Sequence, residues 1–224
     1  MHSNTVWKEI PISIVAVVAL FFLSNSLLFQ DKPVVTRVDG VILLSMFVGF
    51  LFYIYNQMKN DRSEKVPHVV KQKSNLMIWG LIVIGTAGLI VGGKLVVDNA
   101  IKVATVLGVS EKVIGLTIVA IGTSLPELVT SVVAALKKNS DIAFGNIIGS
   151  NIFNILLILS VSSLINPVYF NISFNTEIYL LAGGTSILFM AMFLGGKKRL
   201  DRWEAGILLF IYLVYTTLLI VQEI

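Results

Sequence analysis

The chain has 224 residues, of which 56% are hydrophobic and 13% charged, and its formal net charge is +4. This charged fraction is about half of the roughly 25% usual in soluble domains, which excludes a single core surrounded by a water-facing surface. Cysteine is absent, which excludes disulfides and thiolate metal sites.

Seven apolar segments are long enough to cross about 30 Å of hydrocarbon as helices. In chain order they cover residues 10–29, 40–57, 75–98, 111–136, 142–165, 175–195 and 203–222. The first is predicted to be a retained helix rather than a signal peptide, because no small-residue cleavage site follows it. Strands are a poor alternative, since the segments lack the polar alternation of barrel walls. The predicted fold class is an all-α polytopic membrane helix bundle.

A polar connection at residues 56–74 divides this bundle. Its composition is too polar to pack, and it is too short to fold independently. We therefore predict two N-terminal transmembrane helices in residues 1–58, a cytoplasmic loop in 59–74, and a five-helix domain in 75–224.

The basic residues are distributed unequally between the two ends of the predicted helices. If the seven helices alternate in direction, twelve Lys and Arg fall on one side and five on the other. The positive-inside rule then places the N-terminus in the cytoplasm and the C-terminus outside. We expect a multi-pass protein of the cell (inner) membrane whose surroundings are the lipid bilayer. Nucleic acid is not an expected partner, because topology already explains the cations.

Glu127 is the one carboxylate deep inside an apolar run, at residues 113–136, whereas the other twelve fall at or near segment ends. Placing an acid at the centre of a membrane helix costs on the order of 2.5 to 3.5 kcal/mol, and packing alone does not offset that cost. An acid inside the membrane is therefore a functional candidate.

The segment that carries Glu127 is predicted to begin at Ser110, which can cap it, and to break near Pro126. Proline has no N–H and opposes the carbonyl of Gly122, so we expect a bend that leaves backbone oxygens unpaired. Non-helical backbone at membrane depth is tolerated where it is buried in protein or lines a cavity, and such breaks in transporters often hold ions.

Oxygen-bearing side chains follow helical spacing on both sides of a polar turn. Thr123 and Ser124 lie four and three residues before Glu127 and so share its face. On the next segment such side chains also recur, with Gly145 and Gly149 predicted to allow close approach: Asn146, Ser150, Asn151 and Asn154. If the two stripes face each other, their oxygens suit a hard cation, sodium or calcium. The alternative is that these side chains only join helices by hydrogen bonds.

The run GLTIVAIGTSLPEL at residues 115–128, followed by GNIIGSNIFN at 145–154, resembles the alpha-repeat of the calcium/cation antiporter superfamily, the sodium/calcium exchangers. The resemblance implies half of an inverted-repeat exchanger fold, with one repeat at about residues 111–166 and a first repeat missing. It also implies a set of ion ligands, which are the Ala120 carbonyl, Thr123, Ser124, Glu127, Ser150, Asn151 and Asn154.

The function implied is an antiporter that exchanges calcium for sodium and uses no cofactor, with a separate subunit as a possible source of the first repeat. Asn154 departs from the aspartate that many exchangers carry there, which leaves the counter-ion open. Two alternatives to a calcium/sodium antiporter stay open. The first is a proton/calcium antiporter, because desolvation lets a proton compete for Glu127. The second is a non-transporting membrane fragment. An enzyme is not expected, since no nucleophile and base pair or phosphate loop is present.

Overall fold

The computed structural model describes residues 9–25, 33–61, 74–194 and 202–223. A helix is found in each of the seven predicted segments; residues 26–29 and 195 of these segments, and most of the predicted loop at 59–74, lie outside the described part. The helices are α1 (Ile10–Ser24), α2 (Arg37–Asp61), α3 (Asn75–Val106), α4 (Glu111–Ile114), α5 (Ala120–Thr123), α6 (Leu125–Leu136), α7 (Ser140–Phe153), α8 (Leu159–Ile165), α9 (Asn175–Leu194) and α10 (Arg202–Glu223).

Two of the seven segments are not continuous α-helix. A π-helical segment, Gly115–Val119, joins α4 to α5, and a second, Asn154–Ile158, joins α7 to α8. A single turn of π-helix often occurs at a functional site. Each of these two interrupted segments carries one half of the predicted ion site.

Three helices of the described part are long and apolar enough to cross a membrane, namely Arg37–Lys59, Asn75–Val106 and Ser140–Ile165. A fourth is obtained if Thr117–Thr123 and Leu125–Leu136, which are bent by 55° to each other, form one span. The all-α membrane bundle is thus confirmed. That all seven segments cross the membrane stays a prediction.

The chain forms two compact units, and the first contains the described residues of Met1–Lys65 and Asn139–Glu204. Here α2 packs along α8, and α1 packs along α9 and α7. Fully buried apolar side chains hold these helices together: Ile10, Leu43, Ile148, Ile152 and Leu156, each at most 2% exposed. Burial of each such side chain contributes about 1.5 to 3 kcal/mol.

The N-terminal end of α2 is fixed by local hydrogen bonds. The Thr36 N–H and hydroxyl donate to Oδ2 of Asp39 at 2.8 and 2.7 Å, and the Asp39 N–H reaches the Thr36 hydroxyl oxygen at 3.4 Å. This reciprocal arrangement is a capping box. Just before it, β1 (Val34–Val35) pairs antiparallel with β2 (Val168–Tyr169), a short ribbon that the sequence did not predict.

Gly40 provides the close contact between α2 and α8. A Cβ added there would overlap Oγ of Ser163 and lie 3.0 Å from the Ser160 carbonyl oxygen. Both serines are fully buried, and the Ser163 hydroxyl donates to the Ser160 carbonyl at 2.9 Å. Small residues let membrane helices approach closely, and these three residues act in that way.

The second unit contains the described residues of Val66–Lys138 and Ala205–Ile224, and therefore α3 to α6 and most of α10. The membrane-spanning window of α3 has none of its residues buried within the structure. At its C-terminal end Gly108, with φ +77°, donates to Thr105, and Val109 donates to Ala104. These bonds form a Schellman motif, which requires the left-handed backbone that glycine adopts most readily.

The two units group helices by packing rather than by position in the chain. α1 and α2 belong with α7 to α9, whereas α3 to α6 form a separate unit with most of α10. The sequence predicts a two-helix part that ends at residue 58 and a five-helix domain that begins at residue 75. These boundaries follow the order of the chain, and they stay a prediction.

Candidate cation site on two interrupted helices

The helix that carries Glu127 breaks where proline predicts it. α5 ends at Thr123, and Ser124 takes φ −94° and ψ 0° before α6 begins at Leu125. The Ser124 N–H donates to the Ile121 carbonyl at 3.1 Å, three residues back, and the helical ladder resumes with Leu128 donating to Ser124. The predicted bend is confirmed. The predicted cap is also present, because the Ser110 hydroxyl oxygen accepts from the Val113 N–H at 3.4 Å.

Two of the predicted ligand oxygens adjoin each other at the break. The Thr123 hydroxyl donates to the Ala120 carbonyl at 2.9 Å, and Thr123 and Ala120 are both exposed within the structure. Ser124 is exposed as well. These oxygens lie at the C-terminal end of α5, where the helix dipole favours a cation. The arrangement gives one hydroxyl and one carbonyl that can turn toward the same ion.

Glu127 lies in the first turn of α6, directly after the break, and is half-buried. The N-terminal end of a helix stabilises a nearby carboxylate by about 0.3 to 1 kcal/mol. An acid at the centre of a membrane helix costs on the order of 2.5 to 3.5 kcal/mol, which is more than this stabilisation. The break thus offsets part of that cost.

A further hydroxyl on this helix, that of Thr130, is used by the backbone. The Thr130 hydroxyl donates to the Pro126 carbonyl at 2.8 Å, one turn back along α6. Such a bond leaves the oxygen lone pairs of Thr130 available but fixes its rotamer. The described residues contain no group of three or more His, Cys, Asp or Glu that could hold a metal. The predicted ligand set therefore relies on one carboxylate and several neutral oxygens.

Gly122 is a close contact point between α5 and α3 in this unit. A Cβ added to it would overlap Cγ2 of Val97 on α3 and lie 3.3 Å from the Val97 Cβ. Only glycine allows α3 to lie this close to the break. Gly122 is predicted at the bend from the sequence, but no local pattern reveals its partner on α3.

A crevice of about 260 Å³ opens beside this contact. One wall is the break, through Thr123 and Pro126, and the other is α3, through Lys94 and Asp98. In the sequence, both charges fall near the end of the apolar segment at residues 75–98. Their spacing of four residues was the available signal that they share a helix face.

The second half of the predicted site lies on α7 and on the π-helical segment that follows it. The half-buried Ser150 donates its hydroxyl to the Ile147 carbonyl at 3.0 Å, and Asn151 is half-buried too. Asn154 is exposed and begins the π-helical segment, where its carbonyl accepts from the Leu159 N–H. No hydrogen bond of the Asn151 or Asn154 side chain is found among the described residues.

The close approach predicted at Gly145 and Gly149 is not seen in the described part of the chain. A Cβ added at either glycine would meet no atom within 4 Å. The two halves of the predicted site also belong to different units, with residues 120–127 in the second and 150–154 in the first. That the two halves meet at one ion stays a prediction.

Comparison with known proteins places the chain among membrane transporters. The profile of the sodium/calcium exchanger protein family matches residues 77–221, which include both halves of the predicted site. The CaxA protein of Alkalimonas amylolytica is 36% identical, over 97% of this chain and 69% of its own length. The inner membrane protein YrbG of Escherichia coli (strain K12) is 35% identical, over 75% of this chain and 52% of its own length.

A solved structure is also similar. The sodium-calcium exchanger NCX_Mj matches with a TM-score of 0.71 and 29% identity, over 96% of this chain and 66% of its own. This chain therefore spans about two thirds of the solved exchanger's length. The profile match over residues 77–221 and the 36% identity to CaxA over 97% of this chain show that the chain is a member of the sodium/calcium exchanger protein family.

Proposed function

We propose that this chain is the part of a membrane cation antiporter that binds calcium and sodium in alternation. The single observation that carries the proposal is the position of Glu127, half-buried in the first turn after a helix break. Directly before it, the Ala120 carbonyl and the Thr123 hydroxyl are 2.9 Å apart. A carboxylate together with hydroxyl and carbonyl oxygens is the ligand chemistry of a hard cation.

The remaining ligands in the proposal come from the second interrupted helix. Ser150, Asn151 and Asn154 would supply a hydroxyl and two amide oxygens from α7 and its π-helical segment. Ser124 would add a further hydroxyl at the break. An amide at Asn154 offers an oxygen without a charge, so this set would neutralise calcium through Glu127 alone. Calcium sites generally contain six to eight oxygens with more than one carboxylate.

We propose further that another segment completes the site. Relatives of known length extend beyond the matched region, since this chain spans 69% of CaxA and 66% of NCX_Mj. Open surface is available for such a segment at Gly145, Gly149 and along α3. The segment would carry the first repeat, either in a longer form of this chain or as a separate subunit.

A second copy of the chain is a poor source of the missing repeat. The repeats of this fold are expected to be inverted relative to each other. The excess of Lys and Arg on one side would insert every copy in the same direction, with the N-terminus in the cytoplasm and the C-terminus outside. A dimer of identical chains would then be parallel and would lack the inverted pair.

Transport in reconstituted vesicles tests the proposal. Calcium uptake into sodium-loaded vesicles should be negligible with this chain alone and should appear when a polypeptide carrying a first repeat is added. Glu127→Gln should abolish that uptake, whereas Glu177→Gln, a matched change in the exposed first turn of α9, should not. Robust exchange by the chain alone would refute the need for a further segment.

The counter-ion is tested in the same vesicles. Sodium is proposed because the family profile and the solved relative are both named for sodium and calcium. Calcium uptake driven by a pH gradient without sodium would instead support the proton-coupled alternative. A Glu127→Gln variant that leaves the cellular calcium phenotype unchanged would support a membrane protein that does not transport.

A further inference from the structure

The charges of α3 are concentrated in one stripe near its C-terminal end. Lys94, Asp98 and Lys102 follow one another at intervals of four, whereas residues 75–93 carry no charge. Side chains with this spacing lie on the same face of a helix. α3 contains 32 residues, about 48 Å at 1.5 Å per residue, so the stripe begins roughly 28 Å from the N-terminal end of the helix.

Two of these charges open onto the helix break. Lys94 and Asp98 lie one turn apart and both line the crevice of about 260 Å³ whose opposite wall includes Thr123 and Pro126. Between them on α3 is Val97, the residue that closes on the glycine of the break. The ammonium and the carboxylate are thus held on either side of the contact that fixes α3 to the predicted ion site.

Lys94 and Asp98 have no ion-pair partner in the described part of the chain. Both side chains are exposed, and among the described residues neither makes a hydrogen bond or an ion pair. A lysine four residues before an acid is also the less favourable order for a helical ion pair. Lys94 and Asp98 therefore act as two separate charges facing the space beside Thr123.

Separate fixed charges have a definite effect on a cation that enters this space. Their contribution to its free energy is proportional to the charge of the cation. The free energy of a calcium ion therefore changes by twice as much as that of a sodium ion. If removing one of these charges changes the sodium affinity by a given factor, the calcium affinity changes by the square of that factor. This contribution raises the free energy of a cation near Lys94 and lowers it near Asp98.

We propose that Lys94 and Asp98 are specificity-determining residues at the opening of this crevice, with Lys94 opposing and Asp98 promoting the entry of cations, divalent ones most strongly. The identity of the cations rests on the proposed function. The electrostatic effect at Thr123 rests only on the geometry of the crevice.

A single introduced thiol measures that effect directly. Because the chain has no cysteine, Thr123→Cys provides one reactive group, and the full chain in detergent can be treated with a cationic and an anionic methanethiosulfonate. Lys94→Gln should raise the ratio of the cationic to the anionic reaction rate and Asp98→Asn should lower it, each by at least about threefold.

Lys102→Gln is the matched control, since it removes the same charge two turns further along the stripe and outside the crevice lining. It should change the rate ratio less than Lys94→Gln does. An unchanged ratio in the Lys94 and Asp98 variants, or an equal change in the Lys102 variant, would overturn the proposal.

A second measurement separates this inference from the proposed function. Calcium binding is measured in the otherwise native chain with sodium as competitor. In Lys94→Gln, the factor by which the calcium affinity changes should be the square of the factor for sodium. A wild-type chain that binds no calcium would count against an ion site in this chain alone, while the thiol rates would still decide the role of the two charges. Calcium and sodium affinities that change by the same factor would contradict the electrostatic effect.

Discussion

Val97 of α3 packs directly against Gly122 of α5, so that a Cβ added at Gly122 would overlap the valine Cγ2 and lie 3.3 Å from its Cβ. This contact joins α3, whose membrane-spanning window is not buried within the structure, to α5 just before the helix break. It therefore sets the distance between α3 and the oxygens of Ala120 and Thr123. A change on either side of the contact should affect the site without altering a proposed ligand.

Gly122→Ala should separate α3 from the break and weaken cation binding. Overpacking of a close contact typically costs about 1 to 3 kcal/mol. The double variant Val97→Ala with Gly122→Ala removes the overlapping methyl groups and should recover most of the lost stability. Thermal unfolding in detergent and calcium binding check both variants. A double variant as unstable as Gly122→Ala alone would show that the glycine is needed for another reason.

Asn154→Asp should strengthen calcium binding. It adds a second carboxylate to a proposed set that holds only Glu127, and ligand charge raises calcium affinity. We expect an increase of at least about tenfold, which corresponds to roughly 1.4 kcal/mol. Calcium titration of the purified chain measures it.

Asn171→Asp is the control for the same change of charge elsewhere. Asn171 is exposed and accepts a hydrogen bond from the Ser173 N–H at 3.0 Å, a role that aspartate can keep. Equal calcium affinities in the two variants would argue against Asn154 as a ligand.

Gly108→Ala should destabilise the end of α3. The residue has φ +77°, and an L-residue in the left-handed region costs roughly 1 to 2 kcal/mol. Gly80→Ala is the matched control, because Gly80 lies within the same helix and an added Cβ meets no atom within 4 Å. That change should be neutral or slightly stabilising, since alanine is favoured inside helices. Thermal midpoints of the two variants that move in the same direction would contradict the prediction.

Thr36→Val should loosen the start of α2. It removes the hydroxyl that donates to Asp39 at 2.7 Å and accepts from the Asp39 N–H. Loss of such a cap costs about 0.5 to 2 kcal/mol. Thr36→Ser keeps the hydroxyl and should stay close to the wild type in thermal unfolding. If serine were as destabilising as valine, packing of the threonine methyl rather than capping would be responsible.

Several features of the site could be predicted from the sequence because they depend on local chemistry. Pro126 lacks an N–H and opposes the carbonyl of the residue four before it, so a continuous apolar segment is expected to kink or break there. Glu127 is followed and preceded by apolar residues, so its cost in a membrane is evident without coordinates. The start of the segment at Ser110 follows from the capping ability of its hydroxyl, and the structure contains that bond.

Other features could not be predicted because they depend on which residues meet in space. Gly145 and Gly149 carry the spacing of a close helix contact, yet no atom approaches them in the described residues, while Gly40 packs on Ser163 without any such pattern. A small residue only permits close approach. Whether a partner helix uses it depends on the packing of the whole unit.

The sequence by itself determined that this is an all-helical membrane protein with an acid beside a broken helix, because hydropathy, proline geometry and the cost of an isolated charge are properties of neighbouring residues. Only the tertiary structure decided that Val97 closes on Gly122 and that Lys94 and Asp98 open onto the same break. These residues are distant along the chain, and the packing of α3 against α5 and α6 brings them together.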